Sequence, residues 1–494
     1  MPIALLVAAP LAFAVSIQSN PVQVGSGAPL ALTLEAAYQI ALENNLGLKV
    51  EAANTEVALY NSRATWGAFD WVLDARAGYS DAEFQPRDVF GGSSDKSTEF
   101  TFDFTRPFAA TGGTLKTHFG TSESRTNSAF QVEPRSTTDI ISLQYTQPLM
   151  RGAWREYATA RQRESEFEAR RADQKLRETR QKLVLDVTFA YWSLVAAGDA
   201  LGVAESSLEL AKKQLDQNQR LLDAGTGTSV EVLQAEAGVA TREEARLKAE
   251  VDVKKAADDL KQLLVPGKNA ELWDSELTPA TPLPEASSGP PVPAWGNAFA
   301  IAIDRRADLR QQRLAIDSAS ARHTRTKSER KPGLDLDLTA SSQGFAVERS
   351  DALETTAQFD FPTYRAALVF NYALGNNSAS NLERAAWASV RAARLAYDEL
   401  ESKIAAEVRD AVRQVTYQAE AVRAADKSLE LARRQLAAEE LKFQNEISTT
   451  FNILTFQQDL TQAMSNARRA RADYAKARAT LASVQGLLGE VDGP

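Results

Sequence analysis

The chain has 494 residues, only 8% of them aromatic, and its 65 acidic and 56 basic residues give a formal charge of −9. Cysteine is absent, which excludes disulfides, thiol chemistry and a His/Cys metal site. The charges are evenly spread, which excludes a basic face for nucleic acid. The two histidines, His118 and His323, are far apart in the sequence, so we expect isolated surface residues and no cofactor.

An apolar segment over residues 1–14 ends in Ala12-Phe13-Ala14, which has the small-x-small form of a signal-peptidase site. The segment lacks a basic n-region, so it is either an export signal whose true start lies upstream or a buried first helix. We favour the export signal. No later run reaches the ~18 apolar residues of a membrane-spanning helix, so the sequence predicts that any membrane crossing uses strands.

A first repeat over 30–264 is predicted next. Its elements are a helix over 33–70, strands over 72–150, a long helix over 154–223 and a helix over 228–264. Phe100, Phe102 and Phe104 alternate with polar residues, which is typical of a strand with one apolar face. Thr228 with Glu231 three residues later forms a capping box that begins the last of these helices.

A proline-rich linker over 265–294 leads to a second repeat over 295–488. Its predicted elements are a helix over 295–330, strands over 333–374, a long helix over 380–444 and a helix over 449–488. The nine residues Ser207–Leu215 return as Ser428–Leu436 with seven identities, at an offset of 221 residues. A repeat unit this long is outside the range of solenoid repeats, so the chain is a tandem duplication.

A seven-residue apolar period runs through both copies of the long helix. It extends from Val187 to Leu222 and from Val408 to Phe443, and alanine often follows three places later. A strict heptad period predicts helices that supercoil against close neighbours. From the heptads alone, a static two-helix coiled coil is the simplest interpretation.

The lengths predict a mainly α-helical fold with transmembrane β-structure. Each long helix would span about 100 Å at 1.5 Å per residue, and two short helices placed end to end match it. Two strands from each half give four per chain. An open sheet in a bilayer leaves backbone groups unpaired, so closure needs several chains, and three chains would give twelve strands.

The first half carries about forty more residues between its helices than the second. We expect them to form a long extracellular hairpin around Lys96–Arg125, because the segment is rich in Gly, Ser and Thr. Two further membrane strands per chain, or a soluble sheet that covers the end of a barrel, are the alternatives.

The order of elements resembles that of the TolC-like outer-membrane efflux proteins, as do the segments 34–45, 147–152 and 224–235. The resemblance implies a homotrimer in the bacterial outer membrane, in which a 12-stranded β-barrel joins an α-helical tunnel that extends into the periplasm. It also implies a passive exit duct that a periplasmic adaptor couples to an inner-membrane pump or secretion ATPase. Small molecules or polypeptides would be the cargo.

The resemblance places adaptor docking and a narrow tunnel mouth at the tips of the two helical hairpins. The docking positions are Gly225, Thr226, Gly227, Thr228, Ser229, Glu446, Ile447, Ser448 and Thr449. The gate positions are Glu231, Gln234, Asn452 and Thr455. Only Glu231 is acidic among the gate positions, so we do not expect an acidic gate ring. The capping-box role of Glu231 is an alternative to a role in the pore.

Two other functions fit parts of the pattern. A periplasmic adaptor is also built from helical hairpins and β domains, but it has one hairpin inserted in a split β domain. A structural coiled-coil protein would have no pore. An enzyme fits least, because the sequence has no cysteine, no clustered histidines and no phosphate-binding glycine loop.

Overall fold

The computed structural model describes residues 30–85, 92–127, 133–264, 273–284, 291–445 and 447–489. The predicted export signal lies outside the described residues. These residues group into two compact units. The first contains the described residues up to Asn44 with Val187–Leu283 and Leu429–Ala472. The second contains Asn45–Asp186, Pro284–Ser428 and the described residues from Asp473 onward.

Helices and strands follow the duplicated order. The first-half elements are β1 (Leu30–Leu32), α1 (Leu34–Asn44), α2 (Leu46–Thr65), β2 (Val72–Glu83), β3 (Ser94–Pro107), β4 (Thr114–Thr126), β5 (Arg135–Pro148), α3 (Trp154–Ala158), α4 (Ala160–Asp223) and α5 (Ser229–Leu264). The remaining elements are β6 (Leu277–Pro279), α6 (Trp295–Arg305), α7 (Ala307–Glu329), β7 (Gly333–Ala346), α8 (Arg349–Gln358), β8 (Pro362–Asn371), α9 (Asn377–Gln444) and α10 (Thr450–Val484).

Both predicted short helices are interrupted. The helix expected over 33–70 is broken at Asn45, whose side chain accepts a hydrogen bond from the Leu48 amide at 3.0 Å and caps α2. The helix expected over 295–330 is broken at Arg306, which has extended backbone angles. The long helix expected over 154–223 is likewise divided into α3 and α4, with Thr159 between them.

The first unit is held together around Tyr191 of α4, which is fully buried. Its hydroxyl donates to the Leu32 carbonyl at 2.9 Å and accepts from the Thr281 amide at 2.9 Å. Leu32 ends β1, which pairs in parallel with β6 of the predicted linker. The linker is therefore not wholly irregular, although residues 265–272 and 285–290 lie outside the described part of the chain.

The heptad stripes are the buried stripes of the long helices. Val187 and Leu194 of α4 are 0% and 2% exposed, and Val408 and Val415 of α9 are 0% and 2% exposed. Among the described helices, α4 alone contains an 18-residue window that is apolar enough to cross a bilayer by length and composition. The sequence reading overlooked this window. A third of the window is buried, and Val187, Tyr191 and Leu194 are among the buried residues of this helix, so we interpret the apolar stripe as a packing surface.

The helical core of the second unit consists of Ala298, Ala302, Leu309, Ile404 and Val408. Small alanines on α6 let it approach α9 closely, and Ile404 is 0% exposed. Beside this core, Arg306 donates to Glu407 at 2.7 Å and to Asp308 at 2.7 Å. Burial lowers the pKa of the Arg306 guanidinium, but the two carboxylates outweigh it and raise the pKa above its ordinary value.

Six strands form one antiparallel sheet in the order β2-β3-β4-β5-β7-β8. The segment around Lys96–Arg125, expected as an extracellular hairpin, does form an antiparallel hairpin, made of β3 and β4, and both strands are paired on both sides. Its extracellular position stays a prediction. The sheet has six strands, so it agrees with the alternative of two further strands per chain and not with four.

The second-half strand region, expected over 333–374, is divided by the helix α8. Phe359, which lies within this predicted strand region, is the left-handed residue that ends α8, with φ of +56°. A side chain at Gly344 of β7 would collide with the Ala352 carbonyl oxygen, so glycine allows α8 to lie against the sheet. Arg349 donates to the Thr121 hydroxyl at 3.2 Å and attaches α8 to β4.

The two histidines are not isolated surface residues. His118 Nδ1 lies 2.9 Å from Asp103 across the β3–β4 pair. His323 Nε2 lies 3.5 Å from Glu383, and its ring centroid is 5.3 Å from that of Trp387. The two side chains are 28% and 21% exposed, so each histidine reaches the surface but has a polar partner that the sequence did not reveal. Among the described residues, no group of three or more His, Asp or Glu residues is placed to hold a metal ion.

Candidate functional site

The first candidate tip is the turn between α4 and α5. Gly225 has φ of +77°, a left-handed conformation that glycine adopts without strain. The amides of Thr226 and Gly227 both donate to the Leu221 carbonyl, at 3.0 and 2.9 Å, and so satisfy a carbonyl at the end of α4. A Cβ at Gly227 would lie 2.8 Å from the Leu222 nitrogen, so this closely wound turn requires glycine.

Thr228 and Glu231 form the predicted capping box at the start of α5. The Thr228 amide and hydroxyl both donate to Glu231 Oε2 at 2.9 Å. The Glu231 amide donates back to the Thr228 hydroxyl at 3.3 Å. The Glu231 carboxylate therefore already accepts hydrogen bonds at the N-terminus of its own helix.

The second candidate tip joins α9 to α10. Asn445 donates from its side chain to the Leu441 carbonyl at 2.7 Å, and the Ile447 amide donates to the Lys442 carbonyl at 2.9 Å. The Ile447 side chain is 76% exposed. Glu446 lies outside the described residues. Thr449 caps α10, because its hydroxyl accepts from the Asn452 amide at 3.4 Å.

A buried carboxylate organises the second tip. Glu439 accepts from the Ser448 hydroxyl at 2.5 Å and from the Lys442 ammonium at 3.0 Å. The Ser448 hydrogen bond, followed by that of Lys442, holds the pKa of Glu439 below its ordinary value. The carboxylate therefore stays charged at neutral pH and ties the turn to α9.

Asn218 of α4 connects the two tips. Its side chain is 3% exposed, and its Nδ2 donates to the Glu231 carbonyl at 3.1 Å. Its Oδ1 accepts from Gln214 at 2.9 Å and from the Thr450 hydroxyl at 3.4 Å. One amide thus binds α4 to α5 and to the start of α10, all within the first unit.

The four gate positions are not gathered into one charged cluster. Gln234, Asn452 and Thr455 are exposed, while Glu231 is half-buried in its capping box. Asn452 donates to Ser448 at 3.4 Å, and Thr455 donates back to the Phe451 carbonyl at 2.9 Å. These groups can donate and accept hydrogen bonds, and only Glu231 contributes charge.

Sequence reasoning missed Asn218 and Glu439. Both continue the small-residue stripe of the heptads, seven places after Ala211 and Ala432. A polar residue at a buried heptad position fixes helix register at a cost in stability. A polar residue where the heptad pattern leads one to expect alanine is the sequence signal that would have identified both residues.

Comparisons with known proteins agree with this geometry. Residues 114–264, from β4 to the end of α5, match the family described as outer membrane efflux protein. The alkaline protease secretion protein AprF of Pseudomonas aeruginosa is 25% identical over 342 residues, which are 68% of this chain and 68% of AprF.

Solved outer-membrane channels share the fold. The channel OprN aligns with a TM-score of 0.68 at 17% identity, over 92% of this chain and 89% of OprN. The Campylobacter jejuni channel CmeC aligns with a TM-score of 0.65 at 15% identity, over 93% of this chain and 87% of CmeC. The sequence match over residues 114–264 and the shared fold agree, and the chain is similar in both to the TolC-like outer-membrane efflux proteins.

Proposed function

We propose that three copies of this chain close into an outer-membrane channel that serves as the passive exit duct of an efflux pump or a type I secretion system. The six-stranded sheet, which has two unpaired edges and a face that is apolar over one half of its strands, is the observation that carries this proposal. The match of residues 114–264 to an outer membrane efflux protein family and the similarity to AprF support it over a periplasmic adaptor or a coiled-coil protein without a pore.

The two faces of the sheet differ in chemistry over the half of the strands that contains Phe100–Phe104 and Leu115–Phe119. The other half carries charged residues on the same face as Phe100. Alternate residues of a strand point to opposite faces, and Phe102 of β3 lies opposite Phe119 of β4 on one face. On the same face, Tyr364, Leu368 and Phe370 of β8 are 75%, 67% and 66% exposed. The other face carries polar and charged residues, namely Asp103, Lys116, His118, Asp337 and Arg365. An apolar face suits lipid, and a polar face suits a water-filled lumen.

Strands β2 and β8 form the two edges of the sheet. In a bilayer, the unpaired backbone groups of an edge cost several kcal/mol each, so closure by sister copies would remove a large penalty. Six strands per chain would give eighteen strands for three chains. This number replaces the twelve expected from four strands per chain.

The long helices supply the proposed tunnel wall. Helices α4 and α9 have 64 and 68 residues, or about 96 and 102 Å at 1.5 Å per residue. Along α9, Trp387, Leu395 and Tyr417 are 45%, 67% and 65% exposed. In the proposed trimer, neighbouring copies would cover these side chains.

The two tips are the proposed adaptor-docking surface, with Thr226 and Ile447 at their exposed turns, and the gate positions border them. The partners would be a periplasmic adaptor and an inner-membrane pump or ATPase. The relative AprF is described as a protease secretion protein, which supports polypeptides as one class of cargo beside small molecules.

Cross-linking of the edge strands tests the trimer. The chain has no cysteine, so Ala77→Cys on β2 and Ala366→Cys on β8 would be its only thiols. The two edges of one sheet are five strand spacings apart, about 24 Å, beyond the reach of a short bismaleimide. We expect this double variant to form linked dimers and trimers in outer membranes.

The single variant Thr117→Cys, on the central strand β4, is the matched control and should stay monomeric on a denaturing gel. Purified protein should also form channels in planar bilayers. Edge thiols that link no better than the central control, in protein that is inserted in outer membranes, would refute closure by sister copies.

Photo-cross-linking tests the docking surface. Thr226→Cys and Ile447→Cys, each labelled with a benzophenone maleimide, should capture an adaptor in cells. Lys254→Cys on α5, equally exposed but far along the helix from the tip, is the control. Capture from Lys254→Cys alone would place the adaptor elsewhere.

A further inference from the structure

A cavity of about 370 Å³ lies within the first unit, between α4, α5 and α10. Its volume falls in the range of small-molecule sites, which begins at ~300 Å³. Apolar side chains form one part of its wall. They are Ala200, Val203, Ala204, Ala245 and Ala249.

Arg242 of α5 is the one cationic residue in the described lining of this cavity. Its Nε donates to the Ser207 hydroxyl at 3.2 Å, and its Nη1 donates to the Gly238 carbonyl at 3.2 Å. Thr461 of α10 donates to the same Ser207 hydroxyl at 3.1 Å. The guanidinium is thereby fixed in place, and it has further N–H groups beyond these two bonds.

Among the described residues, Arg242 forms no ion pair with a carboxylate. Two carboxylates next to lining residues in the sequence are paired with other cations, because Asp199 pairs with Arg468 at 3.7 Å and Glu243 pairs with Arg246 at 3.0 Å. Burial lowers the pKa of Arg242 from its ordinary value. Burial of a cation without a counter-charge is unfavourable in free energy, and a bound anion would offset this cost.

Gly238 lies one turn before Arg242 and is a second feature of this site that lowers the stability of the fold. Glycine inside a helix is destabilising by ~0.5–1 kcal/mol relative to alanine. A Cβ at Gly238 would lie 3.3 Å from Arg242 Nη1, so its absence lets the guanidinium lie against the helix backbone. The second copy has no such pair, since Asp459 and Ala463 occupy the corresponding positions.

We propose that this cavity binds a small organic anion, whose carboxylate pairs with Arg242 and whose compact apolar body packs on the alanine-lined wall. Arginine matches a planar carboxylate with two parallel hydrogen bonds. Gln458 and Gln462, which also line the cavity, supply neutral amides at its α10 side. The second copy lacks the matching Gly-Arg pair, and the residues that line the cavity do not include those of either tip.

Fluorine NMR of para-fluorobenzoate with the purified full-length protein in detergent tests the site. We expect saturable binding to the wild type and no binding of the uncharged para-fluorobenzamide. Arg242→Gln should weaken binding about ten- to a hundredfold, the usual effect of losing a charged hydrogen-bonding partner. Arg242→Lys should recover only part of it, because lysine lacks the planar fork.

Arg246→Gln is the matched control, because Arg246 lies one turn further along α5 and is paired with Glu243 and Glu250. It should bind para-fluorobenzoate like the wild type. Inorganic phosphate should compete less well than benzoate, because it cannot use the apolar wall.

Wild-type protein that does not bind, or Arg242→Gln that binds as tightly as the wild type, would overturn the proposal. Phosphate that competes as well as benzoate would overturn the assignment to organic anions. Oligomeric state and channel conductance, measured on the same samples, report separately on the proposed duct. A loss of anion binding in a conducting channel therefore isolates the cavity.

Discussion

The substitution Asn218→Asp would test whether one buried amide holds the two tips together. Aspartate has nearly the same shape as asparagine, but it places an oxygen where Nδ2 donates to the Glu231 carbonyl at 3.1 Å. Two oxygens would then face each other in a site where the native side chain is only 3% exposed. The hydrogen bonds from Gln214 and Thr450 to Oδ1 could persist.

The expected cost follows from that single exchange of donor for acceptor. A buried acceptor that loses its donor costs about 1–3 kcal/mol, and more when a charge is buried with it. Since 1.4 kcal/mol is a factor of ten in an equilibrium constant, local opening of the first tip should become roughly ten- to a hundredfold more frequent. At low pH the introduced carboxyl is protonated and can donate again, so the effect should shrink.

Hydrogen exchange of the backbone amides in residues 221–231 measures this opening, because local unfolding sets the exchange rate of such protected amides. The control Gln217→Glu makes the same amide-to-carboxylate change at an exposed neighbour and should leave exchange unchanged. If both variants exchange at the wild-type rate, Asn218 does not hold the tips together.

Three further variants test other parts of the first unit. Glu439→Gln should abolish a pH dependence of the second tip. In the wild type, the lowered pKa of Glu439 stabilises the folded tip above the ordinary pKa of 4.5, and this stabilisation is lost as the pH falls through the lowered pKa. Proteolysis at the turn, measured across the acidic pH range, would show the difference. Tyr191→Phe leaves the Thr281 amide without its acceptor, whereas the Leu32 carbonyl keeps a hydrogen bond from the Ala280 amide. The substitution should therefore destabilise the unit by about 1–3 kcal/mol in thermal unfolding; an unchanged transition would contradict this. Gly227→Ala should loosen the first tip because its Cβ meets the α4 backbone, whereas Gly202→Ala, with open space around it, should be neutral or stabilising in the same exchange assay.

The helical part of the fold was readable from the sequence because its signals are local. The heptad stripe that includes Val187 and Val408 is the buried stripe of both long helices, and the Thr228–Glu231 spacing identified the capping box. Each of these patterns repeats within one helix turn or one heptad, so no distant residue is needed to interpret them.

The features that were mispredicted depend on distant partners. Arg306 breaks a helix where Glu407 and the Val484 carbonyl receive its guanidinium, and neither lies near it in sequence. The hairpin of β3 and β4 resembled an exposed loop, because its Ser and Thr residues do not reveal that β2 and β5 pair with its two outer sides. Strand count depends on pairing, and composition alone does not supply it.

The duplicated tips have diverged in a complementary way. At the buried seam position the first copy has Asn218 and the second has Glu439, whereas at the cap position the first has Glu231 and the second has Asn452. Each copy therefore keeps one carboxylate and one amide, with their places exchanged. The first tip carries its charge on a half-buried cap, and the second carries its charge in the seam against Ser448. Because the two turns present different chemistry, a partner that contacts both must recognise two distinct surfaces, and the two halves of the chain are not interchangeable.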